Sequence, residues 1–289
     1  MIYARDRRPL DKMKDVRIGN VTVGHGHPLC LIAGPCVIES ETGPIQIAKQ
    51  VKEIADRLGM PYIFKASYEK DNRGAASGFA GPGLKEGLRI LARVKEEVGV
   101  PVLSDIHRQE DVDAAAEVLD VIQIPAYLCQ QTSLVLAVDK TGRAVNVKKG
   151  QFLAPENMSS AVNKLEHVGN ERILLTERGS SFGYNRLVAD FRSIPIMQSL
   201  GYPVVFDATH IVRIYGIPSS DPRGGEPQFV PPLARAAAAA GTNAIFLETH
   251  PEPSKAKCDA SSMVPLGSLE SLLTQVMEIA SLVRRWGLA

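Results

Sequence analysis

Short apolar runs alternate with helix-periodic stretches along nearly the whole chain. Eight runs read as strands: 29–36, 62–67, 100–107, 120–126, 144–150, 172–178, 203–210 and 243–250. Between and after them, apolar residues recur at helical spacing over 45–59, 84–99, 110–119, 133–142, 158–169, 191–201, 230–241 and 268–287. Many of these segments end in Gly, the residue that closes a helix in the left-handed conformation. Ahead of them, VRIGNVTVG (16–24) alternates apolar and polar positions about Gly19-Asn20 and predicts a hairpin. Eight strands alternating with eight helices predict a (β/α)8 TIM barrel as one domain over 1–289, with the barrel over about 29–287. The hairpin would close the barrel's N-terminal mouth. A doubly wound open sheet is the alternative, and it rarely uses eight such evenly spaced units.

The strand runs are apolar inside and polar at their ends. They finish in Cys36, Lys65, Asp105 and His107, Gln123, Lys148, Glu177 and Arg178, Asp207 and His210, and Glu248 and His250. A barrel collects its active site at the C-terminal ends of its strands, so this asymmetry points to an enzyme. Cys36, His210, Glu248 and Asp259 offer a thiolate, an imidazole and two carboxylates, a set suited to Zn²⁺, Fe²⁺ or Mn²⁺. Taken alone, Cys36 reads as a small buried hydrophobe and each histidine as a satisfied core or rim residue. Lys65, Lys70, Arg73, Lys148 and Arg178 also fall at or just after strand ends. Any one of them reads as a solvated rim residue. Together around one mouth they would repel each other unless an anion joined them, which points to phosphorylated or carboxylated small molecules. The glycine-rich segment 68–83 lets backbone N–H groups approach such a ligand.

Composition narrows the field. The 289 residues carry a formal net charge of +1, so no global field favours nucleic acid or a membrane surface. Basic residues lack aromatic interleaving, and no nucleic-acid recognition motif is present. No run of 18 apolar residues reads as a membrane span. The start of the chain lacks the apolar core of a secretory signal. Four cysteines without disulfide-framework spacing predict a reduced, cytoplasmic protein. Cys30, Cys129 and Cys258 read as structural, with Cys258 a weaker second thiol beside Asp259.

The segments IAGPCVIES, FKASYEKDNR, PVLSDIH, IQIPAYLCQQTSL, NVKKGQF, LTERGSSFGYNRLVADFRS, FDATH and FLETHPEPSKAKCDASSMVPL, in this order from about 29 to 285, resemble the 3-deoxy-D-manno-octulosonate 8-phosphate synthase family. The resemblance implies a cytoplasmic homotetrameric barrel that condenses phosphoenolpyruvate with arabinose 5-phosphate, on the route to the inner sugar of lipopolysaccharide. Cys36 implies the metal-dependent branch, where the other branch has Asn. The implied ligands are Cys36, His210, Glu248 and Asp259. The resemblance assigns Lys65, Ser67, Lys70 and Gln123 to the phosphoenolpyruvate site. Lys148 and Arg178 would hold its phosphate, helped by the N–H of Ala126. Asn72 and Asp105 would bind sugar hydroxyls, and Arg73 would meet the sugar phosphate across a subunit boundary. His107 would sit beside the reacting centre, with Lys70, Cys36 and Asp259 among the catalytic groups.

Three positions depart from the family pattern. Gly74 replaces a serine, Gln130 an arginine and Arg213 a glutamine. All three map toward the acceptor side, and Arg213 is expected to replace the charge lost at Gln130. The related synthase that uses erythrose 4-phosphate carries K-P-R-T at the phosphate loop. Asn72 stands at its proline position and favours a five-carbon sugar.

Overall fold

The computed structural model describes residues 12–71, 73, 76–182, 184–218 and 221–287. Two short strands, β1 (Val16–Ile18) and β2 (Val21–Val23), pair antiparallel around the Gly19 turn, where φ is +57°. Eight parallel strands follow: β3 (Cys30–Gly34), β4 (Tyr62–Lys65), β5 (Val102–Asp105), β6 (Val121–Ile124), β7 (Ala144–Lys148), β8 (Ile173–Glu177), β11 (Val204–Asp207) and β12 (Ala244–His250). Each pairs with the next in this order, and β12 pairs back to β3, so the sheet closes as a (β/α)8 barrel. Between β8 and β11 lies a small ribbon, β9 (Ser180–Ser181) with β10 (Leu187–Val188), that the apolar pattern does not announce. A two-residue strand, β13 (Val264–Pro265), pairs parallel with the C-terminal end of β12.

The helix layer matches the periodic stretches: α1 (Gly43–Leu58), α2 (Leu84–Val98), α3 (Val112–Val118), α4 (Thr132–Asp139), α5 (Ser159–Val168), α6 (Ser193–Gln198), α7 (Val230–Ala239) and α8 (Leu266–Arg285). Gly59, Gly99 and Gly169 close α1, α2 and α5 at positive φ, the conformation Gly adopts without steric cost. By length and composition α8 could cross a bilayer, but it lies on α1 and α7 and buries Leu269, Leu272, Leu273 and Val276.

Two cores result from the period of two along each strand. Leu31, Phe64, Val102, Ile122, Val145, Leu175, Phe206 and Leu247 face outward and pack under the helices. Cys30, Ile32, Ile63, Leu103, Val121, Ala144, Leu174, Val205 and Phe246 face inward. Val16, Ile18, Val21 and Val23 of the hairpin join this inner cluster, as expected of a plug at the N-terminal mouth.

Candidate active site

The same alternation builds the site. Counting by twos from each inner-core residue reaches Lys65 from Ile63, Asp105 from Leu103 and Gln123 from Val121. It likewise reaches Asn146 and Lys148 from Ala144, Thr176 and Arg178 from Leu174, Asp207 from Val205, and Glu248 from Phe246. Seven strands thus deliver ionisable or amide groups to one inward face at one end of the barrel. All of these polar residues are buried. Burial makes every partner matter, because an unpaired charge in this setting is strongly disfavoured.

One half of the site is cationic. Lys148 Nζ lies 2.6 Å from Asp207 Oδ2 and 4.4 Å from the centre of the Phe246 ring. Burial lowers the Lys148 pKa, Asp207 opposes that, and Arg178 and Lys65 add to it. Arg178 donates to the Tyr215 hydroxyl at 2.7 Å, and Gln151 donates to the same oxygen at 3.2 Å. Lys65 Nζ donates to the Cys36 carbonyl at 2.9 Å and the Ser67 hydroxyl at 3.1 Å, and lies 3.3 Å from Glu248 Oε1. Ser67 in turn donates to Asp105. Asp105 Oδ2 is 3.1 Å from His107 Nε2. Burial alone would raise the Asp105 pKa, but Lys70, His107 and Lys65 overcome it and hold the carboxylate ionised well below its usual range. Burial lowers and Asp105 raises the His107 pKa, with a net rise. Gln123 accepts from Asn146 at 3.0 Å, and Asn146 accepts from Thr176 at 2.6 Å, a polar layer across β6, β7 and β8.

The other half holds the metal-type donors in two sets that share Asp259. Cys36, Cys258 and Asp259 place their ligand atoms within 4.8 Å of one another, and so do His210, Glu248 and Asp259. Cys36 Sγ donates to Asp259 Oδ2 at 3.1 Å. His210 Nε2 lies 3.4 Å from Glu248 Oε1 and 3.8 Å from Asp259 Oδ2. Its other nitrogen, Nδ1, is 2.7 Å from Asp207 Oδ2. A carboxylate on Nδ1 leaves Nε2 as the free donor, the usual outer support of a metal-binding histidine. Among the described residues, Glu248 Oε2 is buried without a hydrogen-bond partner. Burial, Cys258, Asp259 and Glu248 together push the Cys36 thiol pKa well above its ordinary value. A divalent cation among these groups would reverse that field, draw out the thiolate and satisfy Glu248. The donor set therefore fits a metal ion, with Cys36, His210, Glu248 and Asp259 to hold it. Cys258, the weaker second thiol beside Asp259, also stands within reach.

Lys70 lies between the halves. Burial works against its charge, yet Cys36, Asp105 and Glu248 raise its pKa well above the usual lysine value. Arg73 donates to the Lys70 carbonyl within its own chain, and Ala126 opens the short turn after β6. Asn72 and Gly74 lie outside the described residues. Gln130 is exposed on the helix layer. It lines a groove in the helix layer with Leu136, Lys164 and Ile196, and Lys164 donates to its carbonyl. Arg213 pairs with Asp259 and is not among the residues that line that groove.

Several contributors stood outside the site residues expected from sequence. Asp207 was visible as a strand-end acid, but its bridging of Lys148 and His210 depends on the closure of the barrel. Tyr215 reaches Arg178 only because the segment after β11 folds back. Lys149 points away from the barrel interior. There it donates to the carbonyls of Leu153 and Gly179 and to Ser180, and lies 3.6 Å from Glu177.

The family model described as the DAHP synthetase I family matches residues 8–285. The 2-dehydro-3-deoxyphosphooctonate aldolase of Geobacter metallireducens is 55% identical over 271 residues, spanning 94% of this chain and 99% of the relative. The protein of the same name from Trichlorobacter lovleyi is 55% identical over 271 residues, again 94% of this chain and 99% of the relative. That from Geobacter sp. (strain M21) is 53% identical over 272 residues with the same coverage. The chain belongs to the DAHP synthetase I family and, within it, groups with the 2-dehydro-3-deoxyphosphooctonate aldolases.

Proposed function

We propose that the chain condenses phosphoenolpyruvate with arabinose 5-phosphate and water. The products are 3-deoxy-D-manno-octulosonate 8-phosphate and inorganic phosphate. The observation that carries this reading is the ring of buried, inward-facing cations at the strand ends, Lys65, Lys148 and Arg178. The names of relatives that match across nearly their whole length point the same way. Those names also favour the five-carbon acceptor over erythrose 4-phosphate.

Lys148 and Arg178 bind the enol phosphate, and the Phe246 ring beside Lys148 keeps water from that side. Lys65 is pinned by three oxygens, and its charge faces the carboxylate of the same substrate. C3 of the enol phosphate attacks the aldehyde carbon, and negative charge develops on the aldehyde oxygen. The Lys70 ammonium stabilises that charge, held protonated by the acidic groups around it. Water adds at C2. His107, oriented by Asp105, takes the proton that this water loses and returns it to the aldehyde oxygen. Phosphate then leaves by cleavage of its bond to C2. Bound by Cys36, His210, Glu248 and Asp259, a Zn²⁺, Fe²⁺ or Mn²⁺ ion would supply a fixed positive charge and Lewis acidity beside the acceptor.

The same reading places the enzyme in the cytoplasm as a homotetramer in which Arg73 serves a neighbouring subunit's sugar phosphate. Labelling the oxygen that bridges carbon and phosphorus tests the chemistry. The label is expected in the released phosphate, and its retention in the sugar would exclude this scheme.

A further inference from the structure

Arg213 stands where the resembled family carries glutamine. Its Nε lies 3.3 Å from Asp259 Oδ1, and its Nη1 donates to the Ser261 hydroxyl at 3.0 Å. Its side chain is 11% exposed. The backbone around it is fixed from both sides. Arg213 forms an antiparallel bridge with Gly225, Ile214 N–H donates to the Gly224 carbonyl at 2.9 Å, and Glu226 N–H donates to the Val212 carbonyl at 2.9 Å. Gly224 and Gly225 lie so close to Ser261 that a Cβ at Gly225 would stand 2.5 Å from the Ser261 carbonyl oxygen. The segment after β11 and the turn at 259–262 are thus one packed unit, with Arg213 as its polar link.

Asp259 needs that link. Among the described residues it is the non-glycine residue with positive φ, +50°, a conformation that surrounding contacts must hold in place. Its two carboxylate oxygens face opposite ways. Oδ1 meets Arg213, while Oδ2 lies 3.1 Å from Cys36 Sγ and 3.8 Å from His210 Nε2. Glu248 differs: its Oε1 meets both Lys65 and His210 Nε2, and its Oε2 is left over.

We infer that Arg213 is a positioning residue for metal capture: it occupies one oxygen of Asp259 and so presents the other to the ion. This rests on the metal reading above. A side chain that donates to Oδ1 should preserve the arrangement, and one that cannot donate should lose it. Neutral glutamine supplies the donor without the charge.

The test is binding of Co²⁺ and Zn²⁺ to the full chain in competition with a chromophoric chelator, with Co²⁺ absorption reporting thiolate ligation. Wild type should bind one ion per chain, and Cys36→Ser should lose both the affinity and the thiolate band. Arg213→Met and Arg213→Ala should bind about 10- to 100-fold more weakly, the usual effect of removing an outer partner of a ligand. Arg213→Gln should return to within about 3-fold of wild type. Rescue by Gln separates positioning from a merely structural role, and melting of the metal-free variants checks that each is folded. Wild-type affinity in both Met and Ala variants overturns the inference while leaving the metal reading intact. Wild type that binds no ion, or Cys36→Ser that binds as well as wild type, overturns the metal reading and the inference with it.

Discussion

Asp207→Asn puts the most strain on the proposed arrangement. Asp207 is fully buried, sits 2.6 Å from the Lys148 ammonium and 2.7 Å from His210 Nδ1, and accepts from the His210 N–H at 2.9 Å. Burial would raise its pKa, but His210 and Lys148 overcome that and hold the carboxylate ionised well below its usual range. The amide keeps the shape and a carbonyl for the backbone N–H, but removes the charge. Lys148 is then buried without its counterion, and burial already lowers its pKa. Breaking a buried pair on one side costs about 3–5 kcal/mol. That single oxygen stays with the backbone N–H, so an NH2 faces Lys148; burial lets the amine shed its proton, and the low end, about 3 kcal/mol, is expected. At about 2–4 °C per kcal/mol for a chain of this size class, Tm should fall by roughly 6–12 °C. The lost charge also lowers the Lys148 pKa further, so KM for phosphoenolpyruvate should rise with pH more steeply than in wild type. Thermal unfolding and a KM profile across pH measure both effects. A Tm change below about 2 °C with an unchanged KM profile would refute the bridging role of Asp207.

Lys149→Met should destabilise by about 3 kcal/mol, because it leaves Glu177 buried and burial already raises that carboxyl's pKa. The double change Lys149→Met with Glu177→Leu should recover much of the loss, and denaturant unfolding of wild type and the two variants decides it. His107→Asn addresses pH. The folded pKa of His107 is raised, so its pairing with Asp105 contributes fully below the ordinary histidine value of about 6.5 and is lost as pH rises through the raised folded value. The variant should therefore lose stability mainly at the acid side of that window, and an equal loss on both sides would contradict the pairing.

Much of this was legible in the sequence because one periodicity governs both fold and site. Alternation along each strand sends Ile63, Leu103 and Val205 inward, and two residues later sends Lys65, Asp105 and Asp207 to the same face. A barrel needs no further signal to bring them together. Groups whose place depends on loops were less accessible. Tyr215 meets Arg178 through a returning segment, and Arg213 meets Asp259 across 46 positions of sequence through the close packing of Gly224 and Gly225 on Ser261. The ribbon of β9 and β10 has only two residues per strand, too few for a period to appear. Gln130 shows the converse. Motif position placed it toward the acceptor, while the fold puts it on the outer groove beside Lys164.

The central claim is tested most directly by phosphate release from phosphoenolpyruvate with arabinose 5-phosphate, ribose 5-phosphate or erythrose 4-phosphate, each with and without a chelator. Fastest release with arabinose 5-phosphate, lost on chelation and restored by a divalent ion, is the predicted result. Preference for another aldose would contradict the proposed acceptor, and full activity in chelator would contradict the role given to Cys36, His210, Glu248 and Asp259.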